Sequence, residues 1–122
     1  MKVEKGGKME SCIFCRIIKG EIPAKKVFED EQVVAIEDLA PVSPVHILII
    51  PRKHIVNSLD LDPEHDALIG HIFQVAARIA KERGVAEKGF RIVNNNNADA
   101  GQSVFHIHFH LLGGRRFNWP PG

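Results

Sequence analysis

Long apolar runs are missing from this chain. No stretch of its 122 residues approaches the roughly 18 apolar residues that a membrane-spanning helix requires. Net charge is nearly missing too. Sixteen Lys and Arg stand against fifteen Asp and Glu, for a formal +1. That balance gives no electrostatic footprint for nucleic acid or an anionic membrane surface. A small anionic ligand stays open, because it needs only a local site. Cysteine is scarce, with Cys12 and Cys15 alone. Residues 1–10 are polar, carry Gly6-Gly7 and lack the apolar centre of an export signal. They read as a flexible tail on a cytoplasmic protein, where a structural disulfide is an odd use of the cysteine pair. Internal repeats and low-complexity linkers are absent as well. What remains is an ordinary globular balance, 44% hydrophobic and 25% charged. The length suits one domain with a core that needs no staples.

Ile13, Phe14, Ile17 and Ile18 recur at helical spacing after Ser11, a candidate N-cap, and Gly20 suits the stop. Residues 27–29 and 33–36 read as short strands around a polar turn. Pro41 and Pro44 mark 39–45 as a loop, and 46–50 is an apolar run ended by Pro51, a central strand. The clearest helix is 63–83, with an apolar stripe of Leu68, Ile69, Ile72, Phe73, Ala76, Ile79 and Ala80. Asp62 can cap it and Gly84 can end it; His65 and His71 fall off its stripe and read as surface residues. Residues 90–93 and 104–112 give two more strands, separated by an Asn- and Gly-rich loop over 94–102. The sum is an α+β domain. About five strands form an antiparallel sheet, with one long and one short helix covering one face.

His106, His108 and His110 alternate, so on a strand they share one face while Ile107, Phe109 and Leu111 face the long helix. The outer two are about 13 Å apart along a strand, with the middle one in reach of both. Three histidines at alternate positions are improbable by chance. Metal binding and catalysis both explain them, since imidazole ligates zinc and titrates near neutrality. Gly101-Gln102-Ser103 comes just before, where backbone N–H groups and a hydroxyl can hold phosphate oxygens. The pairing suggests a phosphorus centre held between loop donors and imidazoles. Cys12-x-x-Cys15 allows half of a zinc site, a redox pair or plain helix-start residues.

The segment Gly101-Gln102-Ser103-Val104-Phe105-His106-Ile107-His108-Phe109-His110-Leu111-Leu112 resembles the signature of the histidine-triad (HIT) superfamily. Ile13-Phe14, Glu21-Ile22-Pro23-Ala24-Lys25, Phe28-Glu29-Asp30, His46, Leu48 to Pro51, His54, Gly89-Phe90-Arg91 and the closing Trp119-Pro120-Pro121-Gly122 resemble its Hint-like branch, the purine nucleoside phosphoramidases. The resemblance spans nearly all of 11–122, the implied HIT domain. It implies His108 as the nucleophile that forms a covalent nucleotidyl-histidine. His110 would orient its ring through a backbone carbonyl, His106 would bond the phosphoryl or leaving group, and Ser103 would help protonate a departing amine. By position, Asn95 and Gly101 match phosphate contacts, with Gln102 beside them, and His46 is a fourth histidine near the site. Asp38 would hold the ribose, and Ile13, Phe14, Ile17, Ile36 and Leu39 would clasp the base of an AMP-like ligand.

Several of these apolar residues also suit plain core positions. The resemblance implies a homodimer whose sheets join across a two-fold axis, with Trp119 reaching toward the partner's site. No cofactor is required for the chemistry. Some relatives bind structural zinc, and the matching ligands here would be Cys12, Cys15, His54 and His106. The implied activity is cleavage of the P–N bond of adenosine 5'-phosphoramidates. The alternatives are a dinucleotide polyphosphate hydrolase, a non-catalytic purine-nucleotide-binding or scaffold protein, and a zinc-dependent hydrolase.

Overall fold

The structure is a computed structural model and describes residues 9–122. The chain order is α1 (Ile13–Ile18), β1 (Lys26–Glu29), β2 (Val33–Glu37), β3 (Val45–Pro51), α2 (Asp66–Glu82), β4 (Phe90–Val93) and β5 (Phe109–Gly113). All strand pairs are antiparallel, in the order β1-β2-β3-β5-β4. The tail read over 1–10 lies outside the described residues except at its end, where Met9–Ser11 forms a 3-10 turn. That turn also takes up Ser11, so Cys12 is the N-cap of α1, its Sγ accepting from the Cys15 N–H at 3.4 Å. Gly20 lies just past the end at φ +83°, a left-handed position that glycine adopts without Cβ strain.

β3 is buried at every residue, as a central strand of one apolar run should be. Its alternate residues serve two cores. Val45, Ile47 and Ile49 pack with Ile107, Phe109, Leu111 and the α2 residues Ile72, Val75, Ala76, Ile79 and Ala80. Leu48 and Ile50 pack with Val34, Ile36 and the α1 residues Phe14, Cys15 and Ile17. The two helices therefore cover opposite faces, not one. Both faces of β2 and β3 are apolar, so each face demands a cover, and the chain supplies one helix to each.

Two elements are shorter than their periodicity suggests. The stretch Pro63–His65 is a 3-10 turn and α2 begins after it. Asp62 caps that turn, accepting from the Glu64 N–H at 3.0 Å, and its own N–H donates to His65 Nδ1 at 3.2 Å. His65 is consequently buried, not a surface residue, while His71 is half-buried and donates to Asp30 at 2.6 Å. On α2, Val75 enters the core in place of Phe73, which is 41% exposed and touches Phe109 edge-on.

The last strand starts at Phe109, not at residue 104. The pairing Ile49↔Phe109, continued, would set Pro51 opposite Ile107. Proline has no N–H for that ladder. The Ile107 N–H instead donates to Ile55 O at 2.6 Å, and the Pro51 carbonyl accepts from His106 Nε2 at 2.7 Å. Two of the three histidines thus stand on irregular backbone just beyond the end of the sheet. Among the described residues no helix is long and apolar enough to cross a membrane.

Candidate active site

His110 lies on β5 and points to the α1 face with His46, its diagonal neighbour on β3. His108 continues that face beyond the strand end. Its Nδ1 lies 2.8 Å from the backbone oxygen of His106. A carbonyl can only accept, so Nδ1 carries the proton and Nε2 keeps the lone pair. The carbonyl that orients the ring is that of His106. Phe14 packs edge-on against the His108 ring at 5.1 Å and fixes its plane. Burial holds the His108 imidazole below its ordinary pKa, partly offset by the His106 carbonyl and Asp38.

Asp38 ends the β2–β3 ladder, its N–H donating to His46 O at 3.0 Å. That register places its carboxylate 3.3 Å from His46 Nε2. The Val42 N–H donates to His46 Nδ1 at 3.1 Å, so in neutral His46 the proton is on Nε2. His46 Nε2 donates in turn to His110 Nδ1 at 2.9 Å. His110 then carries its own proton on Nε2, a ready donor that needs no net charge. Burial pushes His110 down to about 4, helped by His108 and His46, and lowers His46 as well. With their pKa values held below the ordinary 6.5, the His46, His108 and His110 rings are predominantly neutral at pH 7.

The loop before the row is held by amides. Gln102 is buried and uses both ends of its side chain inside the protein. Its Nε2 donates to Val56 O at 2.8 Å and Val104 O at 3.1 Å. Its Oε1 accepts from the Asn97 N–H at 2.8 Å and from Asn57 Nδ2 at 3.2 Å. It scaffolds the loop rather than facing solvent. Gly101 takes φ +86°, and both Gly101 and Ser103 are exposed, with backbone and hydroxyl open. Of the four consecutive asparagines, Asn94, Asn96 and Asn97 are spent on internal hydrogen bonds. Asn95 is half-buried without such a bond, so its amide is the one left for a ligand. Asn57, Asn94 and Asn96 escape the sequence reading; the run of four asparagines is a signal for the last two, and nothing around Asn57 flags it.

Cys12, Cys15, His54 and His106 converge, their ligand atoms all within 4.8 Å of one another. His106 is fully buried, and its donation to Pro51 O leaves Nδ1 as a bare lone pair. That nitrogen lies 3.4 Å from Cys12 Sγ and 3.6 Å from Cys15 Sγ, and His54 Nδ1 lies 3.3 Å from Cys15 Sγ. A tetrahedral zinc, with Zn–S about 2.3 Å and Zn–N about 2.0 Å, requires S···N edges of about 3.5 Å, so the set fits one ion. Burial pushes the Cys15 thiol up to about 11, with neighbouring Cys12 adding to the rise and Lys19 opposing it. Both ring nitrogens of His106 are engaged here, which leaves none for a phosphoryl group.

The residues read as the base clasp divide. Phe14, Ile17 and Ile36 are core. Ile13 is 45% exposed and Leu39 fully exposed, so these two offer apolar surface at the rim. Trp119 is 81% exposed on the tail, where Arg91 and Arg115 lie over the Phe117 ring and Arg91 bonds Asn118 O.

A model of the HIT domain matches residues 19–117. The chain is 47% identical over 106 residues to the purine nucleoside phosphoramidase of Escherichia coli K12, covering 87% of this chain and 89% of that protein. A HIT family hydrolase from Legionella pneumophila superposes with TM-score 0.89 at 48% identity, over 91% of this chain and 99% of that one. A zinc-bound histidine triad family protein from Mycobacterium smegmatis superposes with TM-score 0.76 at 36% identity, over 94% and 82%.

Proposed function

This chain belongs to the HIT domain family, and from that premise we propose that it is a hydrolase of purine nucleotide phosphoramidates, acting through a covalent nucleotidyl-His108. The observation that carries the reading is the His108 Nδ1–H bond to the His106 carbonyl, which fixes the lone pair on Nε2. In the proposed reaction Nε2 attacks phosphorus while the P–N bond to the leaving amine breaks. The ring becomes cationic, and its Nδ1–H stays on the His106 carbonyl. His110 Nε2–H and the backbone of Gly101 and Ser103 meet the nonbridging oxygens. The amine leaves with a proton passed from water by the exposed Ser103 hydroxyl. Water then cleaves the adduct and restores neutral His108. Asp38 would take the ribose hydroxyls, Asn95 the phosphate, and Ile13 and Leu39 the base. The purine assignment is supported by the name of the Escherichia coli relative.

Mass spectrometry of enzyme quenched after mixing with an adenosine phosphoramidate tests this. A base-stable, acid-labile nucleotidyl adduct, absent from His108→Ala, is the expected result. Turnover with no adduct would overturn it.

The same reading gives the four converging side chains a structural zinc, held by Cys12 Sγ, Cys15 Sγ, His54 Nδ1 and His106 Nδ1. Zinc there would tie α1 to the segment before β5. Stripping the metal with a chelator should lower the melting temperature and release one zinc per chain, read by a colorimetric indicator. Release of no zinc from protein prepared in zinc would sink the assignment. The resemblance also implies a homodimer whose sheets join across a two-fold axis, which light scattering would report as twice the 13.6 kDa chain mass.

A further inference from the structure

The ladder between β4 and β5 stops just before the residue read as the nucleophile. Its last pair is Val93↔His110, so a continued ladder would bring Asn95 opposite His108. The chain instead leaves the sheet after Val93. The His108 carbonyl still has a donor, because Asn94 Nδ2 reaches it at 3.0 Å. The orientation of that amide is dictated from a distance. The Ser58 N–H is a backbone donor and cannot flip, and it donates to Asn96 Oδ1 at 2.8 Å. Asn96 Nδ2 must therefore donate to Asn94 Oδ1, which it meets at 3.0 Å. Asn94 is left with its Nδ2 toward His108. Ser58 follows Asn57, which donates to Gln102 and Asn97 in the phosphate loop. One backbone segment thus braces both the loop and the nucleophile.

We propose that Asn94 is a positioning residue for His108: its side-chain amide replaces the missing strand partner and, oriented through Asn96 from Ser58, holds the His108 backbone so that its ring meets the phosphorus. The inference rests on His108 being the nucleophile. Asn94 touches no substrate; it acts through the His108 carbonyl alone.

The variants are Asn94→Ala, which removes the donor, and Asn94→Asp, which keeps the oxygen that accepts from Asn96 and loses the donor. In a single turnover with an adenosine phosphoramidate, adduct formation should slow about tenfold or more in both, the scale of a small misplacement of a reacting group. AMP affinity should stay within about twofold, since Asn95, Gly101 and Ser103 are intact. Asn96→Ala should slow the same step by less. The imidazole nitrogen–proton NMR signal of His108 should shift or broaden in Asn94→Ala. An unchanged adduct rate, or a rate that falls only in step with AMP affinity and melting temperature, overturns the proposal. Should the wild type form no adduct at all, the phosphoramidase reading fails. The NMR signal then decides the positioning claim alone: an unmoved His108 signal overturns it and a moved one supports it.

Discussion

Gly114 shows how little room a single residue has at the end of β5. Its φ is +94°, and a Cβ there would stand 2.8 Å from Pro44 Cβ. Strain and overlap act together, so Gly114→Ala should destabilise by about 2 kcal/mol or more. Urea denaturation at pH 7 would measure it; a loss under about 0.5 kcal/mol would show that Pro44 simply moves aside. At this same scale the sequence is legible for residue type and less so for residue use. Three histidines at alternate positions announce a site, and His108 and His110 do share a face. The pattern cannot tell which ring atoms are spent. Gln102 illustrates this: beside an exposed Gly and Ser it resembles a phosphate contact, yet all four of its hydrogen bonds stay inside the protein. His106 does likewise, its two ring nitrogens turned to Pro51 O and the cysteine pair. The decisive partners, Asn57 and Val56 for Gln102 and Pro51 and Cys12 for His106, lie 45 to 94 positions away, which spacing along the chain does not encode.

Elements were legible where one local pattern decides them. β1 to β4 fall within a residue or two of the alternation that signals them, and the long helix lies under its stripe. The short helix was legible as a helix but not as to which face of the sheet it covers, since an amphipathic pattern names no partner. The start of β5 was hidden for a different reason: residues 104–108 have strand composition, and Pro51 on another strand denies them a partner. The entry to α2 depends on one side chain. Asp62 accepts from the Glu64 N–H and anchors the turn that feeds the helix. Asp62→Ala should cost about 1 kcal/mol, within the usual range for a lost cap. A thermal melt followed by circular dichroism would show the drop; an unchanged midpoint would mean that His65 packing alone sets the helix start.

For the whole molecule, buried imidazoles set the response to acid. His110 is lowered to about 4 and His46 is lowered too, while free histidine titrates near 6.5. Asp38 and His108 are the charged or titratable groups that face them. Below about 6.5 the unfolded chain therefore takes up protons that the folded chain refuses. Stability is full above that pH and is lost as pH falls toward about 4. Urea midpoints between pH 7 and pH 4.5 should decline, and His110→Asn should flatten the decline; an equal slope in both would refute this origin. Another global property follows from the tail. Trp119 is the one tryptophan in a chain with no tyrosine, and it stands 81% exposed with Arg91 5.9 Å from its ring. The protein therefore carries a single indole fluorophore near its C-terminal end, already in water. Its emission should barely change when the sheet unfolds, and should move to the blue when a second chain or a bound leaving group closes over the tail.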